Sequence, residues 1–288
     1  MDHASCGGTS EVAALEDLIL ETFVARSDVY ARQDLNGGYM PVYQPLDANT
    51  VARHLRREIS VGHYLATGEG VTKVVALDID LEPHGVWMQY PEPDEYPMDL
   101  GGAELDQWMS TRVTVHPARP RLDWRDRSHP GRAWYKQLLR TAAEYLASAM
   151  ERELGIPTLI TYSGHKGVHV YGLTSGVHVS EAKAGAELTL HSAGRHFGAE
   201  FEPLRGNNFY QLAGGPPWAQ SFAVETFPKQ DTMEGKKLGN LMRLPLGGHL
   251  KSPMDPTFFV DRATAYTHLD PHPDPAALLQ DAIARRTA

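Results

Sequence analysis

The stretch Val74-Val75-Ala76-Leu77-Asp78-Ile79-Asp80, VVALDID at residues 74–80, ends an apolar run on two carboxylates. Side chains alternate along a strand, so Asp78 and Asp80 share one face while Leu77 and Ile79 point the other way. Two like charges this close repel unless a cation neutralises them. Hard oxygen donors of this kind suit Mg²⁺ or Mn²⁺. The plainer alternative is a strand that simply runs out into a polar loop, with Glu82 and Pro83 next in the chain.

Working outward, the pattern predicts a mixture of strands and helices. Ser10 can cap a helix with apolar positions Val12, Leu15, Leu18, Ile19 and Phe23. Asn36-Gly37-Gly38 reads as a hairpin turn between short strands, and Asp47 as the cap of a short helix carrying Val51 and Leu55. SVGHYLA and TKVVALDID read as strands around the Gly68-Glu69-Gly70 turn. Residues 81–133 hold Pro, Gly and charge without a sustained period and read as a long insertion or loop, ordered at most in part. A helix follows from Trp134 to Met150, ended by Gly155 and Pro157. TLITYSGHKGVHVYGL reads as strand, glycine-bounded turn and strand, and Ser180 as the cap of a helix over about residues 181–197. QSFAVETF, GNLMRLPL and PTFFVD read as further strands, and PAALLQDAIARR as the last helix. Without a regular strand-helix-strand count, α+β is favoured over a doubly wound sheet.

The totals exclude some classes. With 288 residues, 42% of them hydrophobic, the chain can bury a sizeable core. It holds no run of about 18 apolar residues, so no membrane span is expected. Cys6 is the single cysteine, which rules out an internal disulfide and a cysteine-based zinc site. The first thirty residues lack a charged-then-apolar leader, and a cytoplasmic protein is the plain expectation. A net charge of −9 taken alone argues against nucleic acid. The charge is uneven, however: Glu82 to Asp106 is acidic, whereas Arg112, Arg119, Arg121, Arg125, Arg127, Arg132, Lys136 and Arg140 cluster next to it. A basic surface can therefore coexist with an acidic total, as can an ordinary solvated face.

Three further stretches carry chemistry. In SGHKGVHVY, residues 163–171, Gly164 and Gly167 allow backbone N–H groups to turn toward one anion, Ser163 adds a hydroxyl, Lys166 a charge, and His169 sits on the following strand. The spacing is not that of a Walker loop, and the glycines argue against the helix that a His165/His169 zinc pair would need. The bland reading is a hairpin with an exposed lysine. In VETFPKQD, residues 224–231, Glu225 follows apolar strand residues and could be a third metal ligand. In GNLMRLPLGGHLKS, residues 239–252, Arg243, His249 and Lys251 could meet phosphates.

Together these stretches resemble the archaeo-eukaryotic primase superfamily, the primase-polymerases. The matches are the D-x-D of Asp78 and Asp80, the Ser163 to His169 strand, and the acidic strand of Glu225. SGHKGVHVY is also similar to the polymerase domain of bacterial end-joining ligases. The likeness is greatest to the primases of mobile conflict systems and CRISPR-associated primase-polymerases, through RSDVY at residues 26–30, FPKQD at 227–231, GNLMRLPL at 239–246 and FVD at 259–261. It covers residues 20–80 and 134–265.

The resemblance implies one catalytic domain over residues 1–288: a two-lobed core from 1–80 and parts of 134–270, the 81–133 insertion, and a C-terminal helix at 271–288. The lobes would be an N-terminal α/β unit and an RRM-like unit with a mixed or antiparallel sheet, and the cleft would lie between them. It implies template-directed nucleotidyl transfer with two divalent ions, Mg²⁺ or Mn²⁺ and not zinc. Asp78, Asp80 and Glu225 would hold the metals; Ser163, Gly164, Lys166, Gly167, His169, Arg243 and Lys251 would bind nucleotide or strand phosphates. Tyr64 would lie near the incoming sugar, though by itself it reads equally as a half-buried strand aromatic. The implied partners are DNA template and primer with dNTPs or NTPs, no membrane, and protein partners or fused domains outside this chain. Three departures bear on this, one of them the acidic insertion at 81–106, which has no counterpart in the family pattern and reads as a partner site, a steric gate or neither. The third carboxylate is Glu where Asp is commoner, which bears on metal spacing and Mn²⁺ preference, and the absence of a cysteine-rich zinc module makes primer extension a safer expectation than primer synthesis. The competing readings are a gap-filling end-joining polymerase and a catalytically silent nucleotide or single-strand binding module.

Overall fold

The computed structural model describes residues 14–81, 100, 104–105, 107–108, 126–129, 131–206, 208–215, 218–250, 252–264 and 269–287. The predicted cap at Ser10 and the phosphate contact expected of Lys251 fall outside these residues.

The chain opens with α1 (Leu15–Phe23), the hairpin β1 (Tyr30–Gln33) and β2 (Tyr39–Val42), α2 (Ala48–Leu55), β3 (Val61–Tyr64) and β4 (Val71–Leu81). After the 81–133 segment come α3 (Gly131–Leu154), β5 (Thr158–Tyr162), β6 (Gly167–His178) and α4 (Val179–His196). β7 (Glu200–Pro203), β8 (Phe209–Ala213), β9 (Phe222–Phe227), β10 (Leu241–Arg243), β11 (Phe258–Phe259) and α5 (Pro275–Thr287) complete it. The strands form a four-stranded sheet, β10-β3-β1-β2, and a seven-stranded sheet, β11-β5-β6-β4-β9-β8-β7. Every strand pairing among the described residues is antiparallel, in an α+β arrangement.

Local chemistry explains most boundaries. The Asp34 carboxylate accepts from the N–H groups of Asn36 and Gly38 at 2.8 and 2.9 Å, fixing the β1–β2 turn. Asp47 caps α2 by accepting from Thr50 N–H at 2.8 Å, a contact worth about 1 kcal/mol. Gly155 ends α3 at φ +65°, a left-handed conformation that favours glycine. At α4 the expected Ser180 cap is displaced by two residues: His178 is the N-cap, and its Nδ1 accepts from Ser180 N–H at 3.3 Å. β7 and β8 are not foreseen from sequence because EFEP and FYQLA are short and only partly buried. β3 and β4, read as neighbours around a turn, separate into different sheets, joined only by a bridge between Ala66 and Thr72.

β4 carries the architecture through its alternation. Val75, Leu77, Ile79 and Leu81 face α3 and α4 and pack with Trp134, Leu138, Ala186 and Leu190. On the opposite face Val74 and Ala76 join Leu18, Ile19, Phe23, Val61 and Met242, which seats the small sheet and its helices on one end of the large sheet. Part of the 81–133 segment also packs: Leu105 lies in the first cluster, and Trp108 stands 5.8 Å from Trp134. The basic stretch is less of a surface than its composition suggests, since Arg132 and Arg140 are buried and Arg140 pairs with Glu144 at 3.0 Å.

A buried histidine ties the small unit together. His54 Nδ1 accepts from Val61 N–H at 3.1 Å, leaving Nε2–H to donate to the Leu244 carbonyl at 3.0 Å. Gly247 packs against this imidazole, where no side chain would fit. Burial lowers the His54 pKa from its ordinary value of 6.5 to about 4. The unfolded chain therefore binds more protons than the native chain between these values, so stability is complete above pH 6.5 and falls as pH drops toward 4. Chemical denaturation at a series of pH values is expected to show this loss, and a His54→Gln variant to flatten its slope.

Candidate functional site

The face of β4 that begins with Val74 and Ala76 continues with Asp78 and Asp80, beyond the edge of the covering unit. Register then aligns the neighbours. Asp78 pairs with His169 on β6 and with Glu225 on β9, and Asp80 pairs with Gly167 and Ala223. Directly paired residues share a face, so Asp78, His169 and Glu225 form one row across three adjacent strands. One step up, Ala76, Tyr171 and Phe227 form the preceding row, which is apolar apart from the Tyr171 hydroxyl and packed under the small unit. The change from core to site thus takes place between residues 76 and 78.

These residues floor a cleft of about 640 Å³. The large sheet contributes Asp78, Asp80, His169, Glu225 and Phe227, the β5–β6 turn contributes Ser163, His165 and Lys166, and the small sheet contributes Gln33, Tyr39, Leu241 and Arg243. Lys229, Asn240 and His249 stand on the loops between. Gly164, at φ +75°, lies so close to Thr257 and the Pro256 carbonyl that a side chain would collide. Gly167 lies against the Asp80 carboxylate and the Ile79 carbonyl, which leaves no room for a Cβ.

Each carboxylate has a nitrogen neighbour. Lys166 Nζ is 3.1 Å from Asp80 Oδ2 and donates to the Leu81 carbonyl at 3.1 Å. His169 Nε2 stands 3.5 Å from Asp78 Oδ1, and Lys229 Nζ donates to Glu225 Oε1. Burial at the cleft floor, then the charges of Asp80 and Glu225, raise the Asp78 pKa well above the carboxylate range, against the opposing pull of Lys166 and Arg243. Its side chain keeps 28% exposure to the cleft, so solvent and ions reach it. Burial, aided by the charge of Arg243, lowers His169 to about 3 and keeps it neutral. Tyr171 O–H donates to the Arg243 carbonyl at 3.5 Å, and its oxygen lies 3.0 Å from His169 Nδ1, which fixes the ring. Burial also lowers the Arg243 pKa. Its guanidinium donates one hydrogen bond to the Ser163 carbonyl, while Nη1 is buried with no hydrogen-bond partner. Arg243 thus lines the cleft with one guanidinium nitrogen whose hydrogen-bonding capacity is unmet.

The structure thus brings Asp78, Asp80, Ser163, Lys166, His169, Glu225, Arg243 and His249 to one cleft. Tyr64 is not among the residues lining it. It is 4% exposed against Val29 and Ala31, with Arg26 and Tyr43 as its charged and phenolic neighbours, because the tight β3–β10 pairing turns it beneath Leu238 and Leu241. Tyr39 faces the cleft instead, its ring over Gly62, where a Cβ would come within 3.1 Å of it. Lys229 and Tyr39 were not singled out by sequence. Lys229 carries a recoverable signal, four residues after Glu225 in VETFPKQD, whereas Tyr39 becomes visible only when β2 is set against β1 and β3.

The carboxylate oxygens are the right donors for Mg²⁺ or Mn²⁺. Among the described residues, however, no group of three or more His, Cys, Asp or Glu side chains already converges to hold a metal. The donor chemistry fits, and side-chain rotation about a fixed backbone row would be needed to bring the oxygens together.

An acidic row faced by lysine and arginine defines a class of protein that meets cations and phosphate anions in one cleft. Residues 219–284 match the family described as the archaeo-eukaryotic primase domain of TOTE conflict systems, and this match supports membership of the archaeo-eukaryotic primase superfamily, of the conflict-system type. The matched segment contains Glu225, Lys229 and Arg243; Asp78, Asp80 and the 163–169 turn lie outside it. No curated protein matches the chain. The family suggests primase or nucleotidyltransferase-type activity and contact with nucleic acid and nucleotide. No helix among the described residues is long and apolar enough to cross a membrane.

Two outcomes are expected of the site itself. Metal binding needs ionised carboxylates, and the native Asp78 keeps its proton to higher pH than an unfolded carboxylate does. Without a bound cation its contribution to stability falls as pH rises through the folded pKa. The gain in melting temperature on adding Mn²⁺ should therefore be larger at neutral than at acid pH. Arg243→Lys keeps the charge but loses the planar fork, and is expected to weaken nucleoside triphosphate binding about tenfold in a fluorescence titration.

Proposed function

We propose that this chain is a template-directed nucleotidyltransferase, a DNA primase-polymerase that adds dNTPs or NTPs to a strand by in-line displacement. The observation that carries this reading is the single row of Asp78, Glu225 and His169, with Asp80 one pleat away, in a cleft that Arg243 and Lys166 also line. Carboxylates alone would suit a metal, and cations alone would suit an anion. Their opposition across one cleft suits a metal-bound polyphosphate beside a strand terminus.

Asp78, Asp80 and Glu225 would hold the two divalent ions. Those ions would lower the pKa of a 3′-hydroxyl and neutralise charge on the departing pyrophosphate. Ser163, Gly164, Lys166, Gly167 and His169 would line the triphosphate, with Arg243 and Lys251 on phosphates of nucleotide or strand. Neutral His169, braced by Tyr171 through Nδ1, presents Nε2 to the cleft without adding charge. Tyr39 would offer the sugar or base an aromatic surface. The chain's own contribution is thus position and preorganised charge in a partly dehydrated cleft. In this reading the large sheet is the RRM-like unit and the small sheet with its helices the N-terminal unit of one catalytic domain.

The deciding experiment extends a labelled primer on a DNA template with dNTPs or NTPs in Mg²⁺ or Mn²⁺. A lane without primer and with a γ-labelled nucleotide tests initiation. Templated products are expected, and Asp78→Asn with Asp80→Asn should reduce incorporation by at least about 10²-fold. Nucleotide binding with no incorporation under either metal would replace this reading with the silent binding module.

A further inference from the structure

We infer that Lys229 is a second phosphate-binding lysine of the cleft, held on Glu225 until a divalent ion takes that carboxylate; the inference rests on the two-metal reading above. Lys229 lies on the loop after β9, and its backbone is fixed independently of its side chain: its N–H donates to Asn240 Oδ1 at 2.8 Å, and Asn240 in turn accepts from Leu65 N–H through its carbonyl at 3.0 Å. The side chain crosses the Phe227 ring at 4.7 Å and ends on Glu225 Oε1. It lines the cleft and is 32% exposed, so it has somewhere to move.

An ammonium and a divalent cation both seek the Glu225 carboxylate, and their mutual repulsion at contact distance is large. Whichever holds Glu225 therefore weakens the other. A displaced Lys229 keeps its charge, its anchored backbone and a flexible four-carbon stem. The compensating anion within reach is the polyphosphate that arrives with the metal. Lys229 thereby links the two events: the metal releases the ammonium, and the ammonium then strengthens phosphate binding. Lys166, on Asp80, is placed in the same way on the opposite side of Asp78.

The test measures Mn²⁺ binding directly, by electron paramagnetic resonance of free Mn²⁺, on the full chain without nucleotide. Lys229→Met should bind Mn²⁺ about three- to tenfold more tightly than wild type, because a competing charge is gone. The same variant should bind a nucleoside triphosphate about tenfold more weakly in the presence of Ca²⁺. Lys229→Gln repeats both measurements with a polar side chain, and melting curves check that both variants fold. If Lys229 merely props Glu225 in place, both variants will bind Mn²⁺ more weakly, which overturns the inference. Unchanged Mn²⁺ and nucleotide affinities overturn it as well. Wild-type protein that binds Mn²⁺ no better than Asp78→Asn would instead sink the two-metal reading, and this inference with it.

Discussion

The repulsion among Asp78, Asp80 and Glu225 is the constraint around which the rest of this molecule is arranged. Antiparallel pairing fixes Glu225 beside Asp78, and strand alternation fixes Asp80 on the same face. None of the three can move away without breaking the central ladder of the large sheet. Their charge must be met by positive groups brought in from elsewhere. The β5–β6 turn brings Lys166, the loop after β9 brings Lys229, and the small sheet brings Arg243 across the cleft. Burial, then the charges of Asp80 and Glu225, raise the Asp78 pKa.

Supplying that counter-charge accounts for otherwise odd features of the core. The β4 strand is buried on one face from Val75 to Leu81, but on the other only as far as Ala76. The small sheet packs on the apolar half of that face, and its Tyr39 and Arg243 line the same cleft as the carboxylates. Two glycines make the close approaches workable. Gly167 leaves space for the Asp80 carboxylate, and Gly62 leaves space for the Tyr39 ring. His54 holds the chain after β10 to α2 and β3, and so steadies the strand that carries Arg243.

The family assignment and the geometry support each other from different parts of the chain. The matched segment, 219–284, supplies Glu225, Lys229 and Arg243 but neither aspartate. The aspartates reach those residues only through the β4–β9 ladder, and the 163–169 turn only through β4–β6. The candidate site is therefore a property of the assembled sheet, and no one segment contains it.

The sequence by itself determined the helices, the long strands, the D-x-D pair on one face and the glycine-bounded turn, because each depends on local periodicity or on backbone freedom. It also pointed to Glu225 and Arg243, since both lie in strongly patterned stretches. Only the tertiary structure decided that Asp78, His169 and Glu225 stand in one row, because cross-strand register depends on pairing between segments far apart in the chain. It decided likewise that Tyr39 rather than Tyr64 lines the cleft. Both tyrosines lie on strands with similar patterns, and which one is covered depends on how β10 docks against β3. It placed Lys229 on Glu225, a contact that needs the loop after β9 to turn back toward the strand it leaves. The weak strands β7 and β8 and the His178 cap were decided in the same way, by neighbours that local sequence does not name.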